Sequence, residues 1–283
     1  MAMSCPNTPL PKRHLSPIGW RVFAFVTIIS YAEYMHYSTP RIFWTVIATI
    51  IFLLIVIEAV RLVYLYRSVK GYKTYWEEQI AKPATPGDFI YLALGDSVAQ
   101  GIGASSPQKS YVGQIAQHIE KTTGRKVHII NISVTGAIAS EVVTNQLPRI
   151  KNLKPDLVTL DIGANDINKK IPAAEFENNF RIILAAIPTK KTIVADLPTF
   201  ERGPKQETLI AINNMIHPII AEYGFKLSPI YDFTSATIHD WTTYAADFFH
   251  PSDKGYRNWY NAFATKLDST INNQNKMEQS AKQ

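Results

Sequence analysis

Cysteine is almost absent from this chain of 283 residues, which has only Cys5. A single thiol excludes an intrachain disulfide and any zinc site built on cysteines. Cys5 follows no hydrophobic leader and reads as a free thiol rather than a lipidation site. Neither G-x-G-x-x-G nor G-x-x-x-x-G-K-[ST] occurs, so dinucleotide binding and P-loop chemistry lack support. A basic stripe is missing as well. The net charge is +6, but residues 1–82 hold nine Lys and Arg against four Asp and Glu, and residues 83–283 hold twenty against nineteen. The larger part of the chain is therefore nearly neutral, which argues against a nucleic-acid partner needing clustered Lys and Arg. Pairs such as Lys169-Lys170 and Lys190-Lys191 read as solvated faces. No repeat period or long low-complexity tract is visible, and the 46% hydrophobic and 18% charged residues describe an ordinary folded chain.

What is abundant at the amino end is apolar sequence. Ile42–Ile57 carries no charge and continues as EAVRLVYLYR. A spanning helix needs about 20 apolar residues, so a transmembrane helix is expected over about 42–65. Glu58 and Arg61 then lie near one end, where long side chains snorkel. Trp44, Tyr64 and Tyr66 are placed as interface aromatics. The lack of a polar face argues against a buried core helix. A second apolar stretch, about 18–34, contains Arg21. It reads either as the first arm of a helical hairpin turning at Tyr34–Arg41 or as an interfacial segment. For a hairpin, the flanking charges put both ends in the cytoplasm; for one span, the side is open. The expected organisation is a membrane anchor over 1–70 and a connector over 71–87, closed by Lys82-Pro-Ala-Thr-Pro-Gly87. A large domain over 88–270 and a polar tail over 271–283 follow. The oligomeric state is open.

From Asp88 onward the pattern alternates. Strand-like runs at 89–94, 126–132, 156–162, 191–197 and 225–231 are separated by helical spacing at 111–121, 141–150, 173–187 and 207–223. A final helix is expected at 252–268, capped by Ser252. Near-continuous apolar strands alternating with helices predict an α/β fold: a parallel sheet covered on both faces. Such sheets place their sites beyond the carboxyl ends of the strands. Polar residues follow the strands at three places: Gly95-Asp96-Ser97, Asn131–Gly136 and Gly163-Ala-Asn165-Asp166.

Ser97 directly follows the first strand. A serine hydroxyl is a poor nucleophile until a base takes its proton, and serine in this position is also an ordinary helix cap. G-D-S-V-A nearly matches the G-x-S-x-G elbow, with Ala99 in place of the last glycine. His250 stands in ADFFHPSDKG, three residues after Asp247, where a carboxylate can orient one imidazole nitrogen while the other faces a nucleophile. His239 is the competing base. Asn165 is either an oxyanion donor or a turn residue.

Four separated blocks together resemble the SGNH hydrolases, or GDSL-type esterases and lipases. They are GDS at Gly95–Ser97 (with Val98 where Leu is usual), Gly136 in NISVTGA, GANDI at Gly163–Ile167, and DFFHP at Asp247–Pro251 followed by Gly255-Tyr256. The resemblance covers about 88–268. It implies a three-layer αβα flavodoxin-like domain and metal-free, cofactor-free hydrolysis of esters or thioesters. It also implies roles: Ser97 as nucleophile, His250 as base and acid, and Asp247 as its orienting partner. The N–H groups of Ser97 and Gly136 and the side chain of Asn165 form the oxyanion hole. Asp96 and Asp166 are expected to hold turns, and Val98 to point into the core. The family's substrates include lysophospholipids, acyl-thioesters, short-chain esters and acetylated sugars. A membrane anchor favours a lysophospholipid or another acyl ester, because it concentrates the site near lipids. Trp241, Tyr244, Phe248 and Phe249 either line an acyl groove or pack their loop. The alternatives are deacetylation of a cell-envelope glycan, acyl transfer, and a non-catalytic membrane-tethered binding domain.

Overall fold

The computed structural model describes residues 17–199 and 206–280, with side chains described over 40–199 and 206–272. Cys5 lies outside the described residues. The chain divides into two units, one ending at Ile57 and one beginning at Glu58.

The first unit is helical from Pro17 onward, as the start of helix α1 (Pro17–Ala81). Residues 34–41, the turn that a hairpin would need, are helical and include Pro40. The stretch contains no Gly, Asn or Asp to reverse the chain, and the helix runs on through Pro40 despite the backbone donor it lacks. Ile42, Phe43, Trp44, Phe52 and Leu54 are all exposed. Pro40–Ala81 is long and apolar enough to cross a membrane, and its most apolar window is entirely unburied.

The second unit opens with the last six turns of α1. The connector expected at 71–87 is helical as far as Ala81, so only 82–88 is irregular. Five strands follow: β1 (Phe89–Gly95), β2 (Val127–Asn131), β3 (Leu157–Asp161), β4 (Thr192–Ala195) and β5 (Lys226–Ser228). Their order is β2-β1-β3-β4-β5, and every pair is parallel. This is the doubly wound order in which the chain changes direction across the sheet beside β1. The intervening helices are α2 (Ser97–Gln100), α3 (Tyr111–Thr123), α4 (Ala139–Glu141), α5 (Ala164–Asn168), α6 (Ala173–Ala186), α7 (Gln206–Glu222), α8 (Ile230–Ser235) and α9 (Asp253–Ser280).

Side-chain alternation along β1 explains the layers. Leu92 and Leu94 face a core completed by Phe176, Phe180 and Ile183 of α6 and Ile216 and Ile220 of α7. Phe89, Tyr91 and Ala93 face the opposite core, with Tyr111 and Ile115 of α3, Tyr256 and Phe263 of α9, and Tyr72 and Trp76 of α1. The three-layer αβα architecture is therefore formed.

Three elements differ from the sequence expectation. The helix expected at 141–150 is broken into α4, a π turn over Val142–Gln146 and a 3-10 turn over Leu147–Ile150. Pro148 lacks an N–H for a continuous helix, and the wide turn directs Gln146 inward. β5 stops before Pro229, which cannot extend the ladder and instead caps α8. α9 continues to Ser280 through Ile271, which is buried, so most of the expected tail is helical. Ser252 does cap it: its Oγ accepts from Gly255 N–H at 3.3 Å.

The inward Gln146 closes both polar groups at the end of β1. Gly95 N–H donates to Gln146 Oε1 at 3.0 Å, and Gln146 Nε2 donates to the Gly95 carbonyl at 2.8 Å. Gln146→Leu leaves the Gly95 N–H without a partner in a dry core, at a cost of about 1–3 kcal/mol, while the Gly95 carbonyl keeps the Val134 N–H at 3.1 Å. The substitution is expected to lower unfolding free energy by about 1–3 kcal/mol, measured as a reduced denaturation midpoint at unchanged m-value.

Candidate active site

β1 approaches β3 so closely at Gly95 (φ +143°) that a Cβ there would lie 2.1 Å from the Asp161 carbonyl oxygen. Only glycine tolerates this contact and conformation. The chain then turns at Asp96, whose Oδ1 accepts from Val98 N–H at 2.9 Å and caps α2. Ser97 is the first residue of α2. Val98 points into the core. Asn131, at the end of β2, donates from Nδ2 to the Ala99 carbonyl at 2.7 Å and pins the far side of this turn.

The loop before α9 supplies the base. Asp247 Oδ1 accepts from the N–H groups of Phe249 (3.1 Å) and His250 (3.0 Å). Its Oδ2 lies 2.6 Å from His250 Nδ1, and His250 Nε2 lies 3.0 Å from Ser97 Oγ. Partner chemistry assigns the proton: Nδ1 donates to the carboxylate, leaving Nε2 to accept from the hydroxyl. Burial works to raise the Asp247 carboxyl. The bond to His250, its charge and the two backbone donors outweigh that and hold it below the ordinary value. His250, not His239, is therefore the histidine on Ser97. His118 is bonded to Tyr260 and Asp268, and His217 to Asp196.

The remaining expected residues also reach this edge of the sheet. Gly136 has φ +78°, and a Cβ there would meet open space. The N–H groups of Ser97 and Gly136 make no hydrogen bond among the described residues, leaving both available. Asn165, in α5 after β3, donates from Nδ2 to Asp96 Oδ2 at 3.0 Å and to the Ala137 carbonyl at 3.1 Å. Both of its amide hydrogens are engaged, so donation to an oxyanion requires release of one. Asp166 accepts the Ala139 N–H on both oxygens at 3.1 Å. Lys169, expected on a solvated face, donates to the Gly136 carbonyl at 2.8 Å and orients that peptide. Among the described residues, no group of three His, Cys, Asp or Glu side chains is arranged to hold a metal ion.

Phe249 packs against the core and meets His250 edge-on at 5.1 Å, and Tyr244 is buried. These two rings pack the loop. Trp241 stays 52% exposed at the rim. A cavity of about 800 Å³ lies elsewhere, lined by Leu153–Pro155 before β3 and Ala185–Pro188 before β4. It opens at the amino ends of the strands, away from Ser97.

The family described as GDSL-like lipase/acylhydrolase matches residues 93–257, more than half of the chain. The chain belongs to that family. Membership makes it an ester hydrolase by family, with all of Ser97, Gly136, Asn165, Asp247 and His250 inside the matched span. Solved structures of similar fold include the lipase/acylhydrolase from Enterococcus faecalis, with TM-score 0.56 and 19% identity over 64% of this chain and 96% of that one. The acetylxylan esterase from Geobacillus stearothermophilus has TM-score 0.51 and 17% identity over 65% and 96%. An alpha/beta hydrolase from the metagenome of Lake Arreo has TM-score 0.54 and 16% identity over 66% and 98%. No curated protein matches the chain.

Sequence reasoning gave no supporting role to Gln146 or Lys169, which stand in no motif, and named Asn131 only as the start of the stretch Asn131–Gly136. A buried polar residue at a strand end was the available signal for Asn131. The others depend on chain folding.

The carboxyls under the site carry a pH signature. Burial raises Asp96 from the ordinary 3.8 to about 6, against the Val98 N–H and the charge of His250. Burial likewise raises Asp166 to about 6, opposed by the Ala139 N–H. Because these folded values lie above the unfolded one, the folded state holds the protons to higher pH. The stability this provides is complete below about pH 4 and is lost as pH rises through about 6. Asp166→Asn keeps an oxygen for Ala139 and removes this titration. Its stability relative to wild type is therefore expected to improve from pH 4 to pH 7 in urea titrations; a constant difference contradicts the raised value.

Proposed function

We propose that the protein is a membrane-anchored serine hydrolase that cleaves carboxylic esters through an acyl-enzyme on Ser97, with a lysophospholipid or another acyl ester as substrate. The observation that carries this reading is the unbroken relay Asp247 Oδ2–His250 Nδ1 and His250 Nε2–Ser97 Oγ, at 2.6 and 3.0 Å. His250 Nε2 takes the hydroxyl proton as Ser97 Oγ attacks the acyl carbonyl. Asp247 stabilises the imidazolium that results. The carbonyl oxygen becomes an oxyanion, received by the N–H groups of Ser97 and Gly136 and by Asn165. The bond that Asn165 gives up is the one to the neutral Ala137 carbonyl, since the carboxylate of Asp96 is the stronger partner. His250 then returns its proton to the leaving alcohol, and water repeats the cycle on the acyl-enzyme.

The lipid substrate rests on the anchor. Apolar side chains exposed all around the helix over Ile42–Ile57 are stable against lipid rather than water. An enzyme tethered there meets acylated lipids at raised effective concentration. Deacetylation of a glycan uses the same relay and is separated by acyl-length preference.

With the full chain in detergent micelles and p-nitrophenyl esters of increasing length, Ser97→Ala and His250→Ala are expected to lose at least about 10³-fold in kcat. Asn165→Ala is expected to lose about 10²-fold in kcat with KM little changed, as for a donor used in the transition state. A long-chain optimum supports a lipid ester, and an acetyl optimum supports the glycan alternative. A folded wild type with neither turnover nor serine-probe labelling overturns the hydrolase reading and leaves a tethered binding domain.

A further inference from the structure

Arg61, Ser68, Tyr72 and Trp76 occur at spacings of seven, four and four residues, which places them on one face of a helix. Each bonds a loop that carries the chemistry. Arg61 Nη2 donates to the carbonyls of Tyr244 and Ala245, both at 3.0 Å. Ser68 Oγ accepts from Gly103 N–H at 3.0 Å, Tyr72 Oη donates to Ala104 O at 2.7 Å, and Trp76 Nε1 donates to Gln100 O at 2.9 Å. The last three grip the segment that leaves the nucleophile turn. Arg61 grips the segment that enters the Asp247–His250 loop. This stretch of α1 precedes the family match, which begins at residue 93.

The acid–base loop needs an external hold. Phe248, between Asp247 and His250, has φ +53°, a left-handed conformation that costs a bulky residue energy and persists only when its surroundings enforce it. The loop closes on itself through Ala245 N–H to His250 O at 2.7 Å and Phe248 N–H to Ala245 O at 3.1 Å. Arg61 holds the neck of that closed loop. Its guanidinium carbon lies 5.2 Å from the Trp241 ring centroid and 5.4 Å from that of Phe248. Nη1 is held by Glu58 at 2.6 Å. One planar cation therefore binds two carbonyls, a carboxylate and two rings, a set of contacts that fits arginine and not lysine.

We propose that Arg61 is a positioning residue for the proposed esterase. By clasping the Tyr244 and Ala245 carbonyls and the Phe248 ring, it sets Asp247 and His250 in line with Ser97, and the helix after the apolar run is thereby part of the catalytic unit. The inference rests on the serine-hydrolase reading above. Arg61 touches no reacting atom and acts only through the placement of the loop. A displacement of His250 by about 1 Å is enough to cost on the order of 10²-fold. The effect belongs in kcat, because the base is used in the transition state and not in binding a small ester.

The test uses the full chain in detergent micelles with a short p-nitrophenyl ester that the wild type turns over. Arg61→Met keeps the apolar stem and removes the fork; it is expected to lose about 10- to 100-fold in kcat with KM within about threefold. Arg61→Lys keeps the charge and one donor nitrogen and is expected to recover part of that loss. Millimolar ethylguanidinium is expected to raise kcat of Arg61→Ala, whose removed stem leaves room for it, and to leave wild type unchanged. Wild-type kcat in folded Arg61→Met, or a lowered Tm with unchanged kcat well below it, overturns the proposal by assigning Arg61 a purely structural role. If Arg61→Met does not fold, a wild-type kcat in Arg61→Lys at unchanged Tm overturns it, and a reduced kcat there supports it. A wild type inactive toward both esters and serine probes defeats the hydrolase reading itself; an active wild type with indifferent Arg61 variants defeats this inference alone.

Discussion

The hydrogen bond between His250 Nε2 and Ser97 Oγ joins residues 153 positions apart in the chain. Neither partner holds the other in place by itself. Ser97 is fixed because β1 runs through the middle of a parallel sheet and ends in a turn that only Gly95 can make against β3. His250 is fixed because Asp247 binds both its ring and its backbone N–H. The bond exists only if the sheet delivers the first and the loop before α9 delivers the second to the same edge. A doubly wound sheet does this by geometry, since all its strands point their carboxyl ends one way.

Buried carboxyls tie that edge together. Asp96 caps the nucleophile turn and binds Asn165 across from β3, while Asp166 binds the Ala139 N–H beyond the glycine turn. Desolvation opposes their charge, and backbone donors favour it. The balance leaves Asp96 and Asp166 near 6, far above an ordinary aspartate, with Asp161 beneath them raised further by burial and by the nearby Asp96. Such carboxyls cost stability at neutral pH and hold three separate loops in one arrangement. That exchange of stability for geometry is common at sites built to bind a developing charge.

α1 has two compositions along one helix. From Ile42 to Ile57 its side chains carry no charge and are largely exposed. From Glu58 on, one face turns polar and aromatic and is used, turn after turn, as hydrogen-bonding partner by the loops around Ser97 and Asp247. The domain boundary by contacts therefore falls at Ile57/Glu58 rather than at the Pro/Gly-rich stretch before β1. The two prolines and one glycine at 83–87 mark where the helix stops, not where the folded unit begins.

Strand–helix alternation, the apolar run at 42–57 and the four blocks around Ser97, Gly136, Asn165 and Asp247–His250 were legible in the sequence. Each is local: a period, a composition or a short motif at a strand end. The broken helix at 139–150, the short β5 and the length of α9 were not, because tertiary demands outweighed local spacing. Pro148 and Gln146 serve the end of β1, Pro229 starts a turn, and Ile271 finds a core. The double use of the Asn165 amide, the clasp of Lys169 on Gly136 and the four contacts from α1 depend on distances between segments far apart in the chain. Sequence alone determined the fold class, the family blocks and the apolar segment, since these are written in neighbouring residues. Only tertiary structure decided which side chains meet at Ser97 and what holds them there, because hydrogen bonds act over about 3 Å and only the folded sheet brings those atoms within that reach.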